Sequence, residues 1–400
     1  MNAKAGYQAH EWGTFTSLVG SSGITVNGMY HEDEVLPEFV HGFGEVQARH
    51  DIVMPPLPNG LRAHLPPALP VHRPCHGKSC FDASFYDTNV ITQKMETPVI
   101  YFYGDAHKEV EVNVKFPEGL ITETFPAPVK TFPIKSQMPV LGNGEATFKI
   151  EVVDALTGSI PYAAESNIYS HARKVASNIV KSGSEEEKFI FYRGLGRFQP
   201  KISITSIHGN LNLTATQTTR PQEAFLVDVD QSGDAQMLHL GSFLNRTVSA
   251  DEIARLKTHQ SGGSEKIAIA LEQALVGSGL NEDEASAMIA TWSHGYLHVP
   301  GLRLLYILPR AEADQVLPLQ MTPAPESFER VFVGRIEIML DTEEQNILTT
   351  IRTQGAAFNA ASLGRFGESK LRRVRSLAHD QTTLYLIDGL IEQVAHANQD

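Results

Sequence analysis

Histidine raises the first chemical question in this chain. Of its 16 histidines, eight fall in the first 107 residues: His10, His31, His41, His50, His64, His72, His76 and His107. Imidazole is the commonest side-chain metal ligand and the usual general base near neutrality. The tightest group is His72-x-x-Cys75-His76-x-x-x-Cys80. Four nitrogen and sulfur donors within nine residues can close a tetrahedral zinc site, although the spacing fits no zinc signature and the Cys-x-x-Cys-His of haem attachment is absent. Cys75 and Cys80 are the only cysteines. They can equally form a short disulfide loop in an oxidising compartment, the plainer expectation, or serve a redox role.

Other groupings carry less. His294 and His298 would share one face of a helix, but Gly295 weakens the helix there and the glutamate of HExxH is missing. At roughly 100° per residue the pair opposes the apolar stripe through Trp292, so both should face solvent or another domain. His10 and Glu11 are adjacent, and adjacent strand residues point to opposite faces. His10 shares its face with Trp12, a candidate pocket wall. His31-Glu32-Asp33-Glu34 could bind a cation, with a solvated turn as the plainer expectation. Glu165, Tyr169, His171 and Arg173 offer an acid–base set on one or two helical turns, or simply a solvated face.

Asp228-x-Asp230-x-Ser232-Gly233-Asp234 opens like a calcium loop, but His239 stands where such a loop needs a bidentate Glu, so a hairpin turn is expected. Arg193-Gly194-Leu195-Gly196-Arg197 could dock an anion. It lacks the Lys-Ser/Thr of a phosphate loop, and a strand bulge with exposed arginines is expected. No Gly-x-Ser-x-Gly elbow, Walker motif or HExxH occurs.

The elements that must position these groups are mostly strands up to about residue 245. Val110, Val112, Val114 and Phe116 alternate with polar residues, as do Ala146, Phe148, Ile150 and Val152, the pattern of a sheet with one buried face. METPVIYFY (95–103) is a continuous apolar run that suits a strand buried on both faces. His208-Gly209-Asn210 and 230–234 read as hairpin turns. Seven prolines between Met54 and Pro74 exclude helix and sheet interior and mark a long surface loop.

After Asn245 helical signals appear. Ser249-x-x-Glu252 is a capping box, Ile267, Leu271 and Leu275 recur every four residues, and Asn281 can cap a helix with Met288 and Trp292 on its apolar side. Strands return at Leu302–Leu308, Val316–Met321 and Val331–Met339. Asp341-x-x-Glu344 opens another helix, and Leu384, Ile387, Ile391 and Val394 line a last one. Arg365, Lys370, Arg372, Arg373 and Arg375 read as a solvated basic face.

Composition narrows the partners. With 33 Lys+Arg against 46 Asp+Glu the formal charge is -13, which disfavours nucleic acid and anionic membrane as main partners. No apolar run approaches the ~20 residues of a spanning helix. Residues 1–8 hold Lys4 and no apolar core, so no signal peptide is expected in the sequence as it stands.

HEWGTFT (10–16), METPVIYFY (95–103), GLRLLYILPR (301–310) and VFVGR (331–335) together resemble a group of bacterial hypothetical proteins, usually predicted to be exported, whose mature sequences begin with HEWGTFT. The resemblance runs through most of the chain and brings no activity with it. It implies a periplasmic or secreted protein, with a cytoplasmic one as the alternative.

The expected fold is α+β: a β-sandwich-like antiparallel part over 1–247, carrying a Pro/His-rich loop at 54–80, then a helical insertion and a smaller mixed part over 248–400 that can complete the same β core. One expected function is an exported metal-dependent hydrolase acting on an envelope or extracellular polymer. Its zinc or other divalent ion would be held by His10, His31, His72 and His76, with His294 and His298 as a further pair and Glu11 and His171 as catalytic groups. The alternative is a non-catalytic sandwich module that recognises a glycan or a protein through aromatic residues such as Trp12, Tyr30 and Phe43. A structural envelope protein is a third. Convergence of the histidines and acids in one cleft would favour the enzyme, and dispersal the binding module.

Overall fold

The computed structural model describes residues 6–31, 36, 37, 39–42, 89–104, 106, 108–133, 141–156, 160, 167–258 and 262–397. The stretch YQAHEWGTFTSLV is rich in aromatic and β-branched residues and free of proline, and it forms β1 (Tyr7–Val19), buried along nearly its whole length. Next come β2 (His41–Gly42), β3 (Gln93–Gly104), β4 (Lys108–Phe116), β5 (Gly119–Phe125), β6 (Lys130–Phe132) and β7 (Gly144–Val153). Strands β8 (Ile179–Ser182), β9 (Glu185–Glu187), β10 (Ile190–Gly196), β11 (Ser203–Ile207), β12 (Asn210–Thr214), β13 (Ala224–Val229), β14 (Ala235–His239) and β15 (Asn245–Val248) follow.

Helices α1 (Ala250–Leu256), α2 (Gly263–Gly277) and α3 (Glu282–Leu297) then interrupt the strands. After β16 (Gly301–Ile307), α4 (Arg310–Val316), β17 (Leu319–Thr322) and β18 (Ser327–Ile338), the chain ends in α5 (Asp341–Gln354), α6 (Gly367–Arg375) and α7 (Gln381–Ala397).

The strands form a nine-stranded sheet in the order β14-β13-β16-β18-β1-β3-β10-β5-β2, a six-stranded sheet (β17-β4-β7-β8-β9, with β6 on β7) and a three-stranded sheet (β11-β12-β15). Among the described residues only β1 with β18 is parallel; every other strand pair is antiparallel. Strands β16 and β18, from beyond residue 247, therefore lie inside the large sheet with β1 between β18 and β3. The fold is α+β.

Strand parity decides the layers. Tyr7, Ala9 and Phe15 of β1 pack with Val112 and Phe148 of the six-stranded sheet and Leu211 and Leu213 of the three-stranded one. Trp12, on the opposite face, packs with Leu271, Met288 and Tyr296 of α2 and α3. Leu18 and Met339, near strand ends, meet Ile351, Leu371 and Ile387 of the C-terminal helices. Each fully buried side chain of this size contributes roughly 1.5–3 kcal/mol. Gly13 belongs to the same logic: a Cβ there would stand 2.8 Å from the Phe332 ring and 2.9 Å from Pro98, so the HEWGTFT stretch needs glycine where these two close over it.

Local signals set the turns and caps. His208 and Gly209 take φ 52° and 77°, the two-residue turn that joins β11 and β12. Ser249–Glu252 and Asn281–Glu284 are capping boxes. Two expectations change. Val316 ends a helix and only 319–322 pairs as a strand, because α4 turns the chain between β16 and β17. Asp341 is the first residue of α5, and its carboxylate accepts hydrogen bonds from the amides of His208 and Gly209 at 2.6 and 2.9 Å, so it braces the distant hairpin. No helix among the described residues is long and apolar enough to cross a membrane.

Candidate functional site

Even-numbered residues of β1 face the helices. In register, Thr16 lies between Arg335 of β18 and Lys94 of β3, Thr14 pairs with Glu96, and Glu337 of β18 pairs with Arg303 of β16. Strands β16, β18 and β3 thus carry a charged row through the middle of the sheet, with Thr14 and Thr16 of β1 between them. All five of its ionisable members, Lys94, Glu96, Arg303, Arg335 and Glu337, are buried, the two arginines at 0 % exposure. Removing a charge from water costs several kcal/mol per ion unless it is well paired.

The pairing is dense. Glu337 Oε1 accepts a hydrogen bond from Arg335 Nε at 2.7 Å and stands 2.9 Å from Arg303 Nε. Arg303 also donates through Nη1 to the carbonyls of Gly295 and Tyr296 (2.9 and 2.7 Å) and through Nη2 to Val299 (2.5 Å), which satisfies the open carbonyls at the end of α3. Burial lowers the Arg303 pKa to about 10 against the pull of Glu337. Burial by itself would raise the Glu96 carboxyl, but Arg365, Arg335 and Lys94 outweigh it and hold it down at about 2. Arg365 Nη2 donates to Glu96 Oε1 at 2.7 Å.

The row is tied to the segment before residue 32. Lys94 Nζ donates to the carbonyls of Tyr30 (3.2 Å) and His31 (2.9 Å), and Arg365 Nε donates to that of His31 (3.1 Å). The ring of Phe366 has the Arg335 guanidinium 5.2 Å and the Arg365 guanidinium 5.3 Å from its centroid. Glu368 then collects His31 Nε2 (2.8 Å), the Tyr30 hydroxyl and Arg372 Nε (2.7 Å). Burial raises its carboxyl, yet these donors bring it below the ordinary value.

One group in this network stands out. Nη1 and Nη2 of Arg335 are buried and find no hydrogen-bond partner among the described residues. Unmet buried donors are uncommon in folded proteins and cost roughly 1–3 kcal/mol each. Arg335 Nη1 lies against Gly295, where a Cβ would stand 2.9 Å away. Thr14 Oγ1 and the Tyr296 hydroxyl share a hydrogen bond, and the charge of Arg335 acts on that hydroxyl. Chemically, two N–H donors of one buried guanidinium are left without acceptors among the described residues.

A second arrangement lies at the other end of α3. His10 Nδ1 is 2.9 Å from Glu284 Oε2, while the Tyr103 hydroxyl and the Asn281 amide donate to the same carboxylate at 2.5 and 2.7 Å. The His10 ring meets Tyr103 edge-on at 5.1 Å. Burial, then Glu284, pushes the Tyr103 hydroxyl far up, so it stays protonated. Glu11 points the other way, into the space between the sheets, where Arg330 Nε and the Tyr192 hydroxyl donate to it. His10 and Glu11 therefore serve separate networks on opposite faces.

The remaining expected site residues go elsewhere. His171 is half-buried between two short 3-10 turns, Ile168–Ser170 and Ala172–Lys174. His294 and His298 are exposed at the end of α3, with His298 Nδ1 3.3 Å from the Gly233 carbonyl. His72, Cys75, His76 and Cys80 lie outside the described residues, as do His50, His64, His107, Glu32, Asp33, Glu34, Phe43, Glu165 and the Pro-rich loop. Among the described residues no group of three or more His, Cys, Asp or Glu is arranged to hold a metal ion.

Several expectations need correction. His31 is buried against Glu368 and does not sit in a solvated turn. Trp12 is buried in the core, so it offers no aromatic platform to a glycan. Arg193 is buried, and the glycine beside it serves packing: a Cβ on Gly194 would stand 2.4 Å from the Leu120 carbonyl oxygen. The Arg173 side chain is turned inward onto Glu187 at 2.8 Å. The basic segment is no free face either, because Arg365, Lys370, Arg372, Arg373 and Arg375 each meet a carboxylate.

Lys94, Glu96, Arg303, Arg335 and Glu337 were not anticipated as site residues. The signal was present: each is a charge embedded in an otherwise apolar strand, in QKMETPVIYFY, GLRLLYI and VFVGRIEI. In strands buried on both faces such a charge must find a buried partner. The chain matches no family model and no curated protein.

Proposed function

We propose that the protein is a non-catalytic binding protein for an anionic ligand, held by the buried charged row under α3. The observation that carries this reading is Arg335, fully buried, with Nε committed to Glu337 and both terminal nitrogens unmet among the described residues. An oxyanion is the natural complement to such a fork. The dispersal of His10, Glu11, His31, His171, His294 and His298 supports binding over metal-dependent hydrolysis. Export, implied by the resemblance of the HEWGTFT stretch, belongs to the same proposal, and fractionation of cells expressing the native gene tests it.

A ligand that binds only the folded state raises its stability, by about 2.7 kcal/mol at a hundredfold excess over Kd. Thermal unfolding in chloride is therefore compared, at constant ionic strength, with unfolding in acetate, lactate, phosphate and sulfate. An anion-specific, saturable rise in Tm that is lost in Arg335→Gln supports the proposal. Equal Tm values in all five salts reject it.

A further inference from the structure

We propose that the outer face of the six-stranded sheet carries a second site, independent of the buried charged row, that binds a neutral saccharide.

Strand alternation places the site. Along β4 and β7, Val112, Val114, Ala146 and Phe148 are buried, and Glu111, Asn113, Glu145 and Lys149 stand on the other face. Strands β17 and β6 extend that face on either side: Gln320 pairs with Asn113 and Thr322 with Glu111, while Lys130 pairs with Thr147 and Phe132 with Glu145. Here the surface dips into a groove of about 400 Å3, with the buried Thr147 in its lining. That volume falls within the ~300–1,000 Å3 of small-molecule sites.

The chemistry of the groove selects the ligand. Its middle is an uncharged row, Gln320–Asn113–Thr147. Asn113 commits both amide protons, to Glu145 Oε1 at 2.7 Å and Thr147 Oγ1 at 2.9 Å, which fixes the amide plane and leaves its carbonyl oxygen as an acceptor. The same hydrogen bond holds the Glu145 carboxyl below its ordinary value, so an ionised acceptor stands beside it at neutral pH. Gln320 and Thr322 add an exposed amide and an exposed hydroxyl that both donate and accept. Neighbouring hydroxyls of a sugar, each a donor and an acceptor, complement such a row.

Charge argues for a neutral ligand. Each lysine of the groove already faces a carboxylate, Lys130 at 3.5 Å from Glu145 and Lys149 at 3.7 Å from Glu111. An ion of either sign would meet as much repulsion as attraction. Val129 and Phe132, 57 % and 46 % exposed on the β6 side, offer apolar surface to the C–H face of a sugar ring. Two isolated apolar side chains do not make the hydrophobic centre that a protein partner requires.

The test is a saturation-transfer NMR titration of the full chain at pH 7. The probes are cellotriose, maltotriose and triacetylchitotriose, with chitotriose as the cationic form of the last and trigalacturonate as an anionic trimer. At least one neutral trimer should bind, and at least tenfold more tightly than either charged trimer. Asn113→Ala should weaken that binding at least tenfold and Phe132→Ala about threefold, both with little change in Tm, since neither side chain is buried. Tyr385→Ala, exposed on α7, should leave it unchanged. No binding by any neutral trimer at millimolar concentration overturns the inference. So does a charged trimer that binds as tightly, or binding that survives both groove substitutions.

Discussion

Arg335 and Gly295 are in contact across the sheet–helix interface: a Cβ on residue 295 would lie 2.9 Å from the guanidinium Nη1. Glycine inside a helix ordinarily costs about 1 kcal/mol relative to alanine, so its presence in α3 needs a reason. The reason is room for a buried arginine whose Nε is held by Glu337 and whose guanidinium lies over the Phe366 ring.

Gly295→Ala should therefore destabilise the protein, by about 1–2 kcal/mol after its helix-propensity gain, as overpacked sites do. Urea unfolding measures this. An increase in stability near 1 kcal/mol would mean that the guanidinium moves aside freely.

Glu96 gives the acid limb of stability a specific shape. Its folded pKa of about 2 lies below the ordinary 4.5, so its contribution is present above 4.5 and disappears as pH falls toward 2. Glu96→Gln should cost about 3–5 kcal/mol at pH 7, because it leaves buried cations without their carboxylate. It should also flatten the pH dependence between 4.5 and 2. Chemical unfolding at a series of pH values reads both effects.

Glu312 works in the opposite direction. It is buried on α4 with Oε2 unpartnered among the described residues, and burial lifts its carboxyl to about 7 against hydrogen bonding from the Lys201 amide. A raised acid stabilises while protonated: its contribution is complete below 4.5 and is lost as pH rises through 7. Glu312→Gln should raise stability at pH 8 by on the order of 1–2 kcal/mol and leave it nearly unchanged at pH 5. A variant as pH-sensitive as the parent between 6 and 8 would contradict this.

Glu11 and His10 should separate by stability. Glu11→Gln breaks a buried pair with Arg330 and should cost about 3–5 kcal/mol. His10→Ala removes a hydrogen bond at the start of α3 and should cost less, about 1–2 kcal/mol. Equal losses in thermal or urea melts would place both in one network, against their opposite faces.

Chelation should leave anion binding untouched. Arginine recognises an oxyanion without a metal, so dialysis against EDTA should preserve any anion-dependent rise in Tm. Loss of that rise, with recovery on adding zinc, would route the ligand through a metal ion instead.

The local chemistry of this protein was legible in the sequence. Alternation marked β4 and β7, a capping box marked the start of α1 and a capping Asn281 that of α3, and His208-Gly209 marked a hairpin, because strand pleat, helix ends and tight turns depend on residues a few positions apart. Even the opposition of His10 and Glu11 follows from strand parity alone. What the tertiary structure decided is which strands adjoin. The parallel pairing of β1 with β18 sets Thr16 beside Arg335, and the C-terminal turn brings Arg365 to Glu96. Those partners are hundreds of residues apart, and no local period encodes them. The isolated charges in apolar strands announced that buried partners must exist, since an unpaired buried ion is too costly to keep; only the packing of α3 and the C-terminal helices against the sheet selected them.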